Sequence, residues 1–138
     1  MPRLQSAQIE KIAANLLVAA GASQSEAAIV ARHVTEANLT GHDSHGIIQI
    51  PSYIDRIDKG HIVPGAPIEI TSDTPTTSVV DGNWGFGYVV TEDVMRRTIE
   101  KAKTQNLAAA TVFRQGHVGR VADYPLMAAE QGMIGLMT

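Results

Sequence analysis

Apolar positions in the first sixty residues recur with the period of an α-helix. Ile9, Ile12, Ala13, Leu16, Leu17 and Ala20 make one stripe along a surface helix, and Gly21 follows as its stop. Ala27, Val30, Ala31 and Val34 form a second stripe, running towards Leu39 and Gly41. It is preceded by Ser23 and Glu26 at capping-box spacing, where each side chain accepts a hydrogen bond from the other residue's unpaired backbone N–H. Ile47, Ile50, Ile54 and Ile57 share one face of a third helix, with Pro51 tolerated in its first turn and Gly60 at its end.

From Val63 the pattern changes. Pro64, Gly65 and Pro67 break the helical period; alternating Ile68 and Ile70, then Thr77 to Asp81, predict two short strands joined by a turn over Ser72 to Pro75. Tyr88 to Gln105 returns to helical spacing through Thr91, Met95, Ile99 and Ala102, and Leu107 to Phe113 is apolar enough for a strand buried on both faces. A loop over Gly116 to Gly119, a helix over Val121 to Gln131 and the apolar Met133 to Thr138 would complete a β-α-β unit with that strand. The fold class is therefore mixed α/β. A helical bundle-like domain is expected over residues 1–62, and the beginning of an α/β domain over 63–138. The chain ends inside an apolar run, and a terminal strand needs a neighbour, so a portion of a longer protein is expected.

Composition narrows the function classes. At 138 residues the chain is long enough for a real core, and 44% hydrophobic with 18% charged residues describes a globular protein. A net charge of -3, with no concentrated basic face, speaks against a nucleic-acid partner. The absence of cysteine removes disulfides, thiolate metal sites and thiol nucleophiles and fits a reducing compartment. The start, Met1 to Ser6, lacks the basic region and apolar core of a signal peptide, and no apolar run has the roughly 20 residues of a membrane span. A soluble, cytoplasmic protein is expected.

Candidate chemistry gathers in Thr40-Gly41-His42-Asp43-Ser44-His45-Gly46. A histidine is the usual carrier of a proton near neutral pH, and His45 can protonate a carbonyl oxygen while hydride reaches the carbon. Asp43 or a serine hydroxyl could fix its tautomer. The competing reading is a helix N-terminus, with Asp43 and Ser44 as caps and His45 incidental. A zinc or iron site from His42, Asp43, His45 and His61 is a further alternative, although one ligand must come from far along the chain. Gly116-His117-Val118-Gly119-Arg120 lies between a predicted strand and helix, where backbone N–H groups and Arg120 can hold a phosphate or carboxylate; the alternative is a plain connecting loop with a solvated arginine. Gly82, Gly85 and Gly87 follow G-x-x-G-x-G rather than the dinucleotide G-x-G-x-x-G, and read as turn chemistry around Trp84. The alternating charges from Glu92 to Lys103 read as a solvated helix face.

Gly41-His42-Asp43-Ser44-His45-Gly46, followed by Ile50-Pro51-Ser52-Tyr53, resembles the malate/L-lactate dehydrogenase family, whose members reduce 2-oxo acids with NADH or NADPH. Gly116-His117-Val118-Gly119-Arg120, then Tyr124 and Ala128, is similar to its second N-terminal motif, and the likeness runs through Val80-Asp81-Gly82 and Gly85-Phe86-Gly87. The resemblance implies a non-Rossmann fold, a small helical domain beside an α/β cofactor-binding domain, usually in a homodimer. It implies that His45 is the proton donor beside the nicotinamide, with Ser44 as a polar contact. It further implies that His117, Gly119, Arg120 and Val121 belong to the NAD or NADP site. The sequence departs from many relatives at Gln49, where an arginine would clamp the substrate carboxylate and a neutral amide cannot replace the charge. The branch with Gln or Met there resembles hydroxycarboxylate dehydrogenases, leaving malate and lactate both open. Relatives are more than twice as long, so the 138-residue chain alone is expected to bind dinucleotide poorly and to be inactive. A non-catalytic dimerisation module is the alternative from another class.

Overall fold

A computed structural model describes residues 4–138, so Met1 to Arg3, the start of the N-terminal segment read above, lie outside the described residues. The chain divides into two compact units between Gly65 and Ala66. No helix of the described residues is long and apolar enough to cross a membrane.

The first unit holds three helices: α1 (Ser6–Ala19), α2 (Gln24–Leu39) and α3 (Ile50–Asp58), with 3₁₀ turns at Asp43–His45 and Ile47–Gln49. The Ser23/Glu26 capping box forms: Ser23 N–H donates to Glu26 Oε2 at 3.0 Å, and Glu26 N–H to Ser23 Oγ at 3.2 Å. The other carboxylate oxygen of Glu26 accepts from Gly65 N–H at 2.8 Å, tying the end of the unit to the start of α2. All three helices close with the same device. At each end a glycine at positive φ (Gly21, Gly41, Gly60) is followed by a residue whose N–H reaches back five positions: Ala22 to Leu17 O, His42 to Ala37 O, and His61 to Arg56 O. These Schellman closures satisfy carbonyls that would otherwise lack partners, and the second one sets where the histidine segment leaves α2.

Ala27, Val30, Ala31 and Val34 of α2 are fully buried, as their spacing predicts. The stripe of α1 is narrower than expected: Ala13 and Leu17 are buried, whereas Ile12 and Leu16 are each 45% exposed. On α3 the core is made by Ile50 and Tyr53, with Ile54 and Ile57 only half-buried.

In the second unit, β1 (Glu69–Asp73) pairs antiparallel with β2 (Thr77–Gly85), and β2 pairs parallel with β3 (Ala109–Gln115). Helix α4 (Gly87–Gln105) is the crossover between the parallel strands, and α5 (Asp123–Ala129) follows β3. Val90 and Val94 of α4 pack on Val80, with Ile68, Ala110 and Val112 around them. The β-α-β unit is thus β2-α4-β3. The one expected over the last thirty residues does not form: Met133–Thr138 is not a strand, although β3 stands at the edge of the sheet, and Ile134 and Leu136 are exposed. β3 is also not buried on both faces: Ala110 and Val112 turn towards α4, while Ala109, Thr111 and Phe113 are exposed.

Beyond Asp81 the register slips, and residues 82–84 of β2 stand against residue 114 of β3. Asn83, Trp84 and Arg114 adopt positive φ (46°, 61° and 49°), a region that disfavours side chains. Buried Asp81 holds the irregularity in place. Arg114 donates to both of its oxygens, through Nε at 2.9 Å and through a terminal nitrogen, and also to Asn83 Oδ1 at 3.1 Å. Asn83 N–H donates back to Asp81 Oδ1 at 2.9 Å.

The Arg114 guanidinium holds the Asp81 carboxyl below the usual carboxylate range, against the opposing effect of burial. A carboxyl whose pKa is depressed on folding contributes stability above its unfolded value, about 3.9, and loses it as pH falls through the lower folded value. The stability gap between wild type and Asp81→Asn should therefore be widest above about pH 4 and close as the pH falls further. Urea melts of both proteins at several pH values check this; a gap that stays constant down to strong acid would contradict it.

Candidate functional site

The histidine segment is built from short elements with little strength of their own. After Gly41, His45 N–H bonds to His42 O at 2.9 Å, Gly46 N–H to Asp43 O at 3.0 Å, and Gln49 N–H to Gly46 O at 3.0 Å. These are isolated 3₁₀ turns, the marginal form of helix. No capping role falls to Asp43 or Ser44: α3 starts only at Ile50, its N-cap position is Gln49, and neither that helix nor the preceding turn has a side-chain cap. The reading of His45 as an incidental first-turn residue therefore loses its basis.

Ser44 Oγ lies 2.9 Å from His45 Nδ1, so the serine hydroxyl, and not Asp43, engages the ring. The Asp43 carboxylate instead accepts from Asn38 Nδ2 at 2.6 Å. His45 is half-buried, Ser44 exposed and Gly46 buried. The His42 ring meets the His45 ring edge to face, with centroids 4.5 Å apart. Gln49 turns its amide back, Nε2 donating to Ser44 O at 2.7 Å. The structure thus gathers Ser44, His45, Gln49, His42 and Asp43 around one turn. His61 lies beyond α3 and is exposed, and among the described residues no three His, Asp or Glu side chains converge as a metal would require.

The glycine motif lies in the second unit, between β3 and α5. Helix α5 begins at Asp123, three residues beyond Arg120, and is only seven residues long. It starts later than Val121, and an acidic residue stands in its first turn, which opposes an anion at that helix end. Arg120 is not solvated. Its side chain is 17% exposed, it forms an ion pair with Asp123, and its Nε is buried without a hydrogen-bond partner. Gly119 has φ +73°, and a Cβ there would fall 2.1 Å from the Tyr88 ring. That ring also meets His117 edge to face at 6.2 Å, and Tyr124 Oη donates to Val118 O at 2.5 Å. Val121 is exposed.

Tyr88 and Tyr124 brace the motif, a role the sequence reading did not assign although it named Tyr124 within the motif and Tyr88 at the start of a helix. The signal was available: the chain has three tyrosines, and in the structure all three, including Tyr53, are among its most deeply buried large side chains. The glycines around Trp84 were also misread. The positive φ values fall on Asn83 and Trp84, whereas Gly82 and Gly87 serve close backbone approach: an added Cβ would meet Arg114 O at 2.9 Å and Gly116 O at 2.2 Å respectively.

Comparison with known proteins fits this geometry. Malate dehydrogenase of Pyrococcus abyssi is 34% identical over 134 residues, covering 97% of this chain and 37% of the relative. Hydroxycarboxylate dehydrogenase B of Escherichia coli O157:H7 is 34% identical over 116 residues, covering 84% of this chain and 32% of the relative. The solved malate dehydrogenase of Pyrococcus horikoshii OT3 superposes with a TM-score of 0.92 at 30% identity, covering 95% of this chain and 38% of that one. The chain thus spans about a third of the length of the curated relatives it matches, and corresponds to an N-terminal portion of their fold. The family model for malate/L-lactate dehydrogenase matches residues 4–138, and the chain belongs to that family.

Proposed function

We propose that the whole protein is an oxidoreductase that interconverts small 2-oxo and 2-hydroxy acids with NADH or NADPH, and that His45 carries the proton. The observation that supports this most directly is the Ser44–His45 pair. With Nδ1 turned to the serine hydroxyl, proton exchange with a substrate oxygen runs through Nε2. In reduction His45 acts as general acid to the carbonyl oxygen, and in oxidation as general base to the hydroxyl. A bound NADH or NADPH would supply the hydride to the carbon. Ser44 fixes the ring and offers a polar contact to the substrate.

Gln49 presents a neutral amide at a place where a charged clamp for the substrate carboxylate would stand. That favours a broad hydroxycarboxylate preference over strict selection of malate or lactate. For the dinucleotide the motif Gly116–Arg120 has a feature that fits: the buried Arg120 Nε lacks an acceptor, which a phosphate or ribose oxygen would supply. His117, Gly119, Arg120 and Val121 are the residues of the second unit we assign to holding it; for His45 the family resemblance alone implies a place beside the nicotinamide. A homodimer follows from the family resemblance, and a cytoplasmic location fits the cysteine-free composition.

The test is absorbance at the nicotinamide band when the whole protein is given NADH or NADPH and a panel of small 2-oxo acids. Turnover with at least one is expected, and none across the panel would sink the proposal. The 138-residue chain is expected to bind NADH weakly and to turn nothing over. Saturable nicotinamide fluorescence from that chain would in turn exclude a purely non-catalytic dimerisation module.

A further inference from the structure

We propose that Asn38 is the positioning residue of the histidine turn, its one side-chain amide pinning both ends of the segment that presents His45. The inference rests on the reading of His45 as proton carrier. Asn38 lies in the last turn of α2, outside the motif itself, and is half-buried. Its Nδ2 donates to Asp43 Oδ1 at 2.6 Å, before His45, and its Oδ1 accepts from Ile47 N–H at 2.8 Å, after it. Those partners fix the amide's orientation, because a backbone N–H can only be met by the oxygen and a carboxylate only by the NH₂ group. The bond to Asp43 is charge-assisted, the stronger kind.

Gly46 is the other half of the device. A Cβ on Gly46 would lie 2.3 Å from Asn38 Oδ1, 2.4 Å from Cγ and 2.5 Å from Nδ2, so the amide occupies the space a side chain would need. Gly46 does not have a positive φ; its requirement comes from this approach. The turn between the two pins has only three-residue 3₁₀ bonds of its own. The rigid end of α2, closed by its Schellman bonds, is thereby extended through one amide to the turn that carries the proton donor. A proton donor misplaced by about 1 Å can cost on the order of a hundredfold in rate.

Asn38→Asp is the discriminating variant. It keeps the shape and the acceptor for Ile47 N–H, but replaces the donor to Asp43 with a second carboxylate, so that at neutral pH two like charges repel where a hydrogen bond stood. In the whole protein, kcat is expected to fall about 10- to 100-fold near neutral pH, with the KM for the nicotinamide cofactor changing by less than about threefold. Combining Asn38→Asp with Asp43→Asn restores a donor and an acceptor in exchanged places and should return kcat to within about threefold of wild type. An active Asn38→Asp enzyme at neutral pH, or a folded double variant that stays as impaired as the single one, would overturn the proposal.

Amide hydrogen exchange at Ile47 separates this from failure of the His45 reading. Exchange should speed up in Asn38→Ala whether or not His45 carries the proton, and unchanged protection would overturn the clamp. Full turnover in a His45 variant would instead strike the catalytic reading alone.

Discussion

His45→Gln in the whole protein is expected to lower kcat by roughly 10³-fold, in the range that a positioned general acid contributes. Glutamine retains a polar side chain of comparable reach but cannot deliver a proton at neutral pH. The fold should survive, since His45 is half-buried on a turn whose backbone bonds come from its neighbours and whose ends are held by Asn38. Because His45 is also assigned to the nicotinamide side of the site, some loss of cofactor affinity should accompany the fall, but kcat must carry most of it. The limb of the pH–rate profile that reports the acid should disappear. Steady-state kinetics across pH, with thermal melts as a control for folding, check both points. A variant within threefold of wild-type kcat would remove His45 from the chemistry.

Gly87→Ala is expected to destabilise the second unit by roughly 3 kcal/mol, although helix propensity alone argues for a gain of about 1 kcal/mol from the same change. Gly87 opens α4, where alanine would ordinarily be the better residue. Its added Cβ would fall 2.2 Å from Gly116 O and 2.5 Å from His117 O. Both are backbone atoms, so no side-chain rotation relieves the overlap. Gly116 N–H is meanwhile bonded to Gly85 O at 3.0 Å, which holds the two segments together just where they would have to part. Relief must come from moving the chain that carries His117, Gly119 and Arg120. A fall in Tm of about 10 °C is expected, and in the whole protein a higher KM for the nicotinamide cofactor with less effect on kcat. A gain in Tm would show that propensity wins and that the close approach yields freely.

What could be read from the sequence was mainly local. The Ser23/Glu26 box and the glycine stops at Gly21 and Gly60 depend on residues close together in the chain, and the structure forms all of them. The mixed α/β class followed from the change of period near Val63 and is observed. Tertiary partnership was harder. Leu107 to Phe113 has the composition of a doubly buried strand, yet α4 covers one face and Phe113 is 41% exposed on the other. The α1 stripe overcounted for the same reason: periodicity shows which side chains share a face, and the width of that face depends on the neighbour. At the candidate site, Ser44 and His45 are adjacent in sequence and meet in space, whereas the Asn38–Ile47 bond spans nine residues across an irregular turn. No period or motif announces such a bond. The pairing of Arg120 with Asp123 was in reach, three residues apart, but the expected helix start at Val121 placed Asp123 inside the helix and hid it.

Trp84, held at positive φ in the irregular end of β2, is the chain's one tryptophan and is 51% exposed. Its emission is therefore a private optical channel for the second unit. Melting curves recorded in that channel follow the disruption of the strained β2–β3 junction, while the helical first unit, which holds the histidine turn, contributes tyrosine signal only. Circular dichroism sees both units. A mismatch between the two transitions would separate their stabilities without a label.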